Sequence, residues 1–337
     1  MLTQAIDSLK PRSIVINDWV ALEYITGKYR SLDLTRGGIY FVNGVPAIVV
    51  DSFRTAMGTA KLKAVPHAGW VLLQDLKKLK RWTYGNQRQE PVFNFDLVVG
   101  KEQLAALQHE CQHSLLIAVD IETTGRGRGC LISCLGLAIL TKDGRVISRT
   151  VPFIWPTFGD GIQWRCPPDY DKAINTLRTI LANPVAKVLQ NGTYDAHHLL
   201  RYKLPITNYF FDTANAFHSL WPEAPKRIDF ISSIGCDRYR FWKDENKADE
   251  KDDAQADSLP TSESGWASYL RYCALDCHYT LGSAMYLLSI LGNVPWAMEN
   301  YRQGFRQSVG PGLAMSLRGV RVNEQLQTAF ELQNMES

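Results

Sequence analysis

Residues 115 to 125, "LLIAVDIETTG", run five apolar positions into Asp120 and set Glu122 two positions later. An apolar run of that length closed by glycine reads as a buried strand. Strand side chains alternate, so Asp120 and Glu122 point the same way. Two anions that close each disfavour the ionisation of the other. A cation, a shared proton or plain solvent exposure has to relieve them.

At 337 residues the chain suits two domains better than one, and its organisation changes near residue 95. Before that point "AIDSLKPRSIVIN" reads as a short helix and strand, and "DWVALEYITG" as a helix stopped at Gly27. Two strands flank an Asn43-Gly44 hairpin turn, and the basic helix "VLLQDLKKLKRW" closes the region. "TYGNQRQEPVFN" reads as a linker. From about 114 the strand bearing Asp120 is followed by two more, turned at Asp143-Gly144. Next come the helix "DKAINTLRTILANP", the buried strand "AKVLQN" and the helix "TYDAHHLLRY". Further helices follow, interrupted by the polar run "DENKADEKDDAQADSLPTSES", expected as a mobile excursion. Three strands and then strands alternating with helices predict an α/β fold, a mixed sheet flanked by helices, with a smaller N-terminal α/β domain.

Charge is spread unevenly. Residues 1–95 hold 13 Lys and Arg against 7 Asp and Glu, net +6, whereas the whole chain is +3, leaving −3 for the remainder. A basic flank beside an acidic portion suits a polyanion binder with a metal site, and a solvated charged face gives the same imbalance. Lys77, Lys78, Lys80 and Arg81 are accordingly expected to attract phosphates, the competing expectation being a domain that only packs. No apolar run nears the roughly 18 residues of a membrane span. The first twenty residues lack a secretory pattern, so a cytoplasmic location is expected. Cys130/Cys134 and Cys273/Cys277, four apart within regular elements, read as reduced thiols rather than zinc knuckles.

Three carboxylate stations stand out. Asp120 and Glu122 alone mean little, because 34 acidic residues in 337 give about three such pairs by chance. In "QNGTYDAHH" Asn191 ends a buried strand and Asp195 opens a helix, where an aspartate also serves as a cap or dipole partner. In "YLRYCALDCHY" Tyr272 and Asp276 lie four apart on one helical face, the spacing of a simple surface hydrogen bond. Their order and spacing together are harder to reach by accident.

D-x-E, then N-x3-D, then Y-x3-D resembles the three motifs of the DEDD superfamily of 3′–5′ exonucleases, tyrosine subclass, whose fold is ribonuclease H-like. The resemblance covers roughly residues 110–300. It implies that Asp120, Glu122, Asp195 and Asp276 hold two divalent ions, Mg²⁺ with Mn²⁺ as a substitute, about 3.5–4 Å apart. Asp120 would bridge both, Glu122 and Asp276 would serve the first, and Asp195 the second through water. Tyr272 would orient the attacking water. Thr123 would contact the primer terminus, and Asn191 would hold the cleft together or touch the terminal nucleotide. "FFDTANAFHSLWPEAPKRIDFISSI" and "PGLAMSLRGVRVNEQLQTAFELQ" are similar to stretches of family A DNA polymerases, the second to the start of their thumb. The implied organisation is an exonuclease domain over 96–300 and a thumb-like helical tail over 301–337. The whole resembles the proofreading module of a phage-type polymerase, acting on single-stranded or frayed DNA 3′ ends beside a polymerase domain or subunit.

Residues 5–82 resemble the C-terminal half of the family 4 uracil-DNA glycosylases, so 1–95 reads as a remnant of one. That family's His-Pro dipeptide is here Arg54 and Thr55, and no cysteine precedes Cys111 to ligate an iron–sulfur cluster. No base excision is expected. Trp242 beside Lys243 is a candidate for stacking on a base. One of His197 and His198 is expected to face the cleft. Gly125, Gly127 and Gly129 follow an acidic strand end and do not open a helix, which argues against a dinucleotide site. Two function classes follow: a metal-dependent exonuclease, or a catalytically idle module that tethers a polymerase to DNA. All four carboxylates and the tyrosine are present, which favours the enzyme.

Overall fold

The computed structural model describes residues 2–27, 31–53, 55, 65–88, 90, 92–125, 129–158, 162–243, 259–319, 323 and 326. Arg54, Gly127, residues 244–258 of the polar run and the chain beyond 326 lie outside the described residues.

The N-terminal domain is a three-stranded sheet with helices on both faces. Its strands β1 (Ile14–Ile16), β2 (Ile39–Val42) and β3 (Val45–Val49) lie in the order β1-β3-β2. β1 is parallel to β3, and β2 is antiparallel across the Asn43–Gly44 turn. Helices α1 (Leu2–Leu9) and α2 (Trp19–Thr26) bury Ile6 and Leu22 against Ile16, Val42 and Val49. After the short α3 (Leu32–Thr35), α4 (Ala68–Thr83) covers the other face with Leu79 against Ile39, Ile48 and Val50.

The larger sheet contains β4 (Phe95–Leu97), β5 (Leu116–Thr123), β6 (Ile132–Leu140), β7 (Val146–Pro152), β10 (Ala186–Leu189) and β11 (Tyr209–Asp212), with a small hairpin, β8 (Trp155–Thr157) and β9 (Gln163–Arg165), set apart. The order is β11-β10-β5-β6-β7-β4. β5, β6 and β7 form an antiparallel meander, and β10 and β11 extend it parallel to β5. This is the mixed sheet flanked by helices that the order of strands and helices predicts. β4 is an addition that sequence reading missed. Three residues carry too little periodicity to announce a strand; β4 pairs parallel to the β7 edge and packs Phe95 and Leu97 on the cluster of Cys134, Trp266, Leu270 and Cys273.

Helices cover both faces. α5 (Lys101–Gln112), α6 (Tyr170–Ala182) and α7 (Thr193–Arg201) bury Leu104, Leu107, Leu177, Ile180 and Leu199 against Ile117, Val119 and Ile121. On the opposite face lie α8 (Thr213–Leu220), α9 (Ile228–Gly235), α10 (Glu263–Leu291) and α11 (Pro295–Arg318), with Phe217, Ile231, Leu281 and Tyr301 around Leu116, Ala118 and Val188. β5 therefore feeds two cores, with odd-numbered residues on one side and even-numbered residues on the other. Among the described residues no helix is long and apolar enough to cross a membrane.

The two domains are joined by a buried polar interface. Gly37, at φ +76°, approaches α9 so closely that a Cβ there would lie 2.5 Å from the Ser233 carbonyl oxygen. Arg36 donates to both carboxylate oxygens of Asp75, at 2.7 and 3.0 Å, and to the Ser233 hydroxyl. Lys78 donates to the carbonyls of Gly37, at 3.1 Å, and Ser233. Arg81 forks onto the Asp237 carboxylate, and the Trp82 indole N–H donates to the Asp237 carbonyl at 2.9 Å.

The expected phosphate-attracting helix is thus divided. Lys77 and Lys80 are exposed, whereas Lys78 is fully buried and Arg81 is committed to Asp237. A buried ammonium needs oxygen partners, and here the Gly37 carbonyl and the Ser233 carbonyl of α9 supply them. Burial lowers the Lys78 ammonium to about 8 against the pull of Asp75 and Asp237. The described residues of the 83–94 linker also pack against the larger domain. The Arg88 backbone N–H donates to Asp237 at 2.9 Å, and Glu90 accepts from the Asp237 and Arg238 backbone N–H groups.

Removing one partner of a buried pair strands the other charge. Asp75→Ala should therefore destabilise the protein by about 3–5 kcal/mol in urea unfolding. Lys77→Ala, two residues along α4 on the solvent side, should change stability by less than about 0.5 kcal/mol. Equal effects for the two substitutions would refute the interface assignment.

Candidate active site

The α10-facing side of β5 is apolar at Leu116 and Ala118 and changes to carboxylates at Asp120 and Glu122. Asp120 pairs across the sheet with Gly136 of β6. A Cβ on Gly136 would lie 2.7 Å from the Cys277 sulfur and 2.8 Å from the Cys273 carbonyl and sulfur. α10 therefore rests directly on the strand beside Asp120. That contact brings Tyr272 and Asp276, one helical turn apart, over the end of β5.

Asp195 arrives from the third side. It is the third residue of α7, whose N-cap is Gly192, so it stands in the first turn of its helix and not at the cap. Its carboxylate reaches across and accepts the Ile121 backbone N–H at 3.1 Å. The Thr123 hydroxyl, at the strand end, donates to the Gly125 carbonyl at 2.8 Å and lies 2.9 Å from the Tyr194 hydroxyl. Asn191 sits exposed at φ 53° in the turn between β10 and α7.

The electrostatics answer why a buried strand ends this way. Burial pushes Asp120 well above the usual carboxylate range, and Asp195, Cys273, Asp276 and Glu122 push it further. Glu122 is raised by burial and then by Cys273 and Asp276, with Lys243 opposing. Asp195 is pushed up to about 7 by burial, against the Ile121 backbone N–H. Asp276 is also raised by burial, but Lys243, Trp242 and Tyr272 each hold its charge. Tyr272 is driven far above its ordinary value by burial and then by Asp276, so its hydroxyl stays protonated.

The relieving cation is Lys243. Its ammonium lies 3.6 Å from Asp276 Oδ2 and donates to the Tyr272 hydroxyl at 3.1 Å. Burial works against that charge, but Asp276, Asp229, Asp120 and Glu122 outweigh burial and hold it above the ordinary lysine range. The indole N–H of Trp242 donates to Asp276 Oδ1 at 2.6 Å. Trp242 is 2% exposed and stacked on Tyr279 at 4.1 Å, so it is closed to a base, contrary to the stacking expectation. No spacing rule links residues 242 and 243 to 272 and 276, and the charge of the cluster was the only clue that a cation was needed.

Among the described residues no histidine joins the carboxylate group. His197 Nδ1 lies 3.2 Å from the Ser316 hydroxyl of α11, and His198 is buried against Tyr194 with its charge suppressed by burial. All seven cysteines are free thiols. Among the described residues, Asp120, Glu122 and Cys273 each offer a ligand atom within 4.8 Å of the others. The oxygen-rich donor set, crowded enough to resist ionisation, fits a hard divalent cation.

No protein-family model matches the chain, and no curated protein matches it. Solved structures do. The catalytic core of RRP6 from Trypanosoma brucei is similar at 16% identity and a TM-score of 0.46, covering 81% of this chain and 66% of that one. The POL domain of Pol1 from M. smegmatis, in complex with a DNA primer-template and dNTP, is similar at 17% and 0.49, covering 72% and 36%. Escherichia coli RNase D, an exoribonuclease involved in structured RNA processing, is similar at 15% and 0.43, covering 68% and 52%. The chain thus spans about two thirds of the first, a third of the second and half of the third.

A carboxyl whose folded value is raised holds its proton longer when folded than when unfolded. Its stabilising contribution is complete below the unfolded value and is lost as pH rises through the folded one. For Asp195 that window runs from about 4 to about 7. In chelator, Asp195→Asn should gain stability relative to wild type across this window, by up to about 4 kcal/mol at pH 7. Saturating Mn²⁺ should abolish the gain. Parallel stability curves from pH 4 to 8 would rule out a repelling carboxylate at this position.

Proposed function

We propose that the chain is a metal-dependent 3′–5′ exonuclease acting on single-stranded or frayed DNA ends, as the proofreading module of a DNA polymerase. The convergence of Asp120, Glu122, Asp195, Asp276 and Tyr272 on one end of β5 carries this reading. A tethering module would have no use for four carboxylates held against their own repulsion.

Asp120, Glu122 and Asp276 would hold one divalent ion, and Asp120 with Asp195 a second. When bound, Mg²⁺ or Mn²⁺ would supply an activated water and neutralise charge on the phosphodiester and its leaving oxygen. The residues of the chain do the positioning. Tyr272 keeps its proton, takes a hydrogen bond from Lys243 and shares another with Asp276, so its hydroxyl sits at a defined point beside the carboxylates. From there it would orient the attacking water. Thr123, with Tyr194 beside it, and the exposed Asn191 would meet the 3′-terminal nucleotide. The N-terminal domain is assigned no base excision. Lys77 and Lys80, its exposed basic pair on α4, would add at most a salt-sensitive attraction to phosphates.

A 5′-labelled single strand should be shortened stepwise with Mg²⁺ or Mn²⁺ and left intact in EDTA. Undiminished cleavage in EDTA by pure protein would overturn the site assignment. Asp120→Ala with Glu122→Ala should cost several orders of magnitude in rate in a folded protein. Tyr272→Phe keeps the ring and deletes the hydroxyl, and should cost about 10–100-fold, the range for a group that orients a metal site. A phenylalanine variant equal to wild type across pH would leave Tyr272 a packing residue.

A further inference from the structure

The segment 236–243 has no regular secondary structure, yet it delivers two side chains to the active site. Trp242 fixes one oxygen of Asp276, and Lys243 spans the other oxygen and the Tyr272 hydroxyl. Coil by itself does not hold two side chains to such positions. The N-terminal domain grips its other end.

Arg81 pairs with the fully buried Asp237 carboxylate, and the Trp82 indole and Arg88 backbone N–H groups donate to the same residue. Glu90 accepts both the Asp237 and Arg238 backbone N–H groups. The Tyr239 hydroxyl donates to the Leu34 carbonyl at 3.3 Å, and Arg240 lies over the Tyr40 ring. Inside the larger domain, Tyr279 bonds the Arg240 backbone and stacks on Trp242. The path from α4 to Asp276 is therefore continuous in direct contacts.

We propose that the N-terminal domain is a brace for the active site: by clamping Asp237 and its neighbours it holds the 236–243 strap, whose Trp242 and Lys243 are positioning residues for Asp276 and Tyr272. The brace rests on the reading of Asp276 as a metal ligand. It gives the domain a function that requires neither glycosylase chemistry nor a grip on DNA. Partners that orient a ligand from behind tune metal affinity without touching the metal, and a loosened strap loosens the ligand.

Mn²⁺ binding, measured by titration calorimetry well below each variant's melting temperature, separates a brace from mere packing. Trp242→Phe keeps the stacking on Tyr279, deletes the N–H and should weaken Mn²⁺ about 10-fold. Arg81→Ala should weaken it in the same direction by roughly threefold or more, and the double variant should weaken it by less than the product of the two single effects, because both act in part through Asp276. Glu90→Gln, which keeps the side-chain volume, gives the same comparison should Arg81→Ala not fold. If both N-terminal variants melt earlier but bind Mn²⁺ like wild type, or their effects add fully to that of Trp242→Phe, the brace is refuted. Failure of the wild type to bind Mn²⁺ would instead overturn the metal reading beneath it.

Discussion

The close approach of α10 to β6 at Gly136 is the contact on which the site depends. Carboxylates on a sheet and carboxylates on a helix meet only where helix and sheet touch without side chains between them. Any Cβ at Gly136 would displace the Cys273 backbone and the two thiols of Cys273 and Cys277. Small, fully buried cysteines suit this seam, being apolar enough for a core and compact enough to let the helix settle. Asp276 and Tyr272 are the next residues along that face.

Bringing four acids together creates a repulsion that the fold must contain. Part is absorbed by raised proton affinity, as at Asp195, and part by Lys243, whose ammonium stands among the acids. A divalent cation would relieve the same repulsion more completely. The site is thus arranged to favour cation binding, and the rest of the domain keeps the acids from relaxing apart. The interdomain surface follows a similar logic with opposite charges. Arg36, Asp75, Lys78 and Asp237 are buried but each has its partners, Arg36 with Asp75, Lys78 with the Gly37 and Ser233 carbonyls and Asp237 with Arg81, which adds less stability than an apolar seam and fixes one docking geometry.

What could be read in advance was local. The apolar run into Asp120, the Asn43–Gly44 hairpin and the Tyr272–Asp276 spacing each express a period of two or of 3.6, or a turn whose chemistry is in the dipeptide. The mixed sheet followed from the order of such elements. What the sequence did not reveal was long-range. The 83–94 segment, read as a linker, gives no local sign that it packs onto Asp237 and Arg238, about 150 positions away. Trp242 beside Lys243 resembles a base-stacking pair, and only Tyr279 and Asp276 show it to be buried.

The sequence by itself determined which residues are acids, which face of β5 they share and which helical face holds Tyr272 and Asp276, because these follow from backbone periodicity. The tertiary structure alone decided that the faces meet, that Lys243 is their cation and that Lys78 and Arg81 bind protein in place of phosphate. A charge carries no label for its partner. Which opposite charge lies within reach is set by how the whole chain packs, and two lysines one position apart on α4 end in water and in the core.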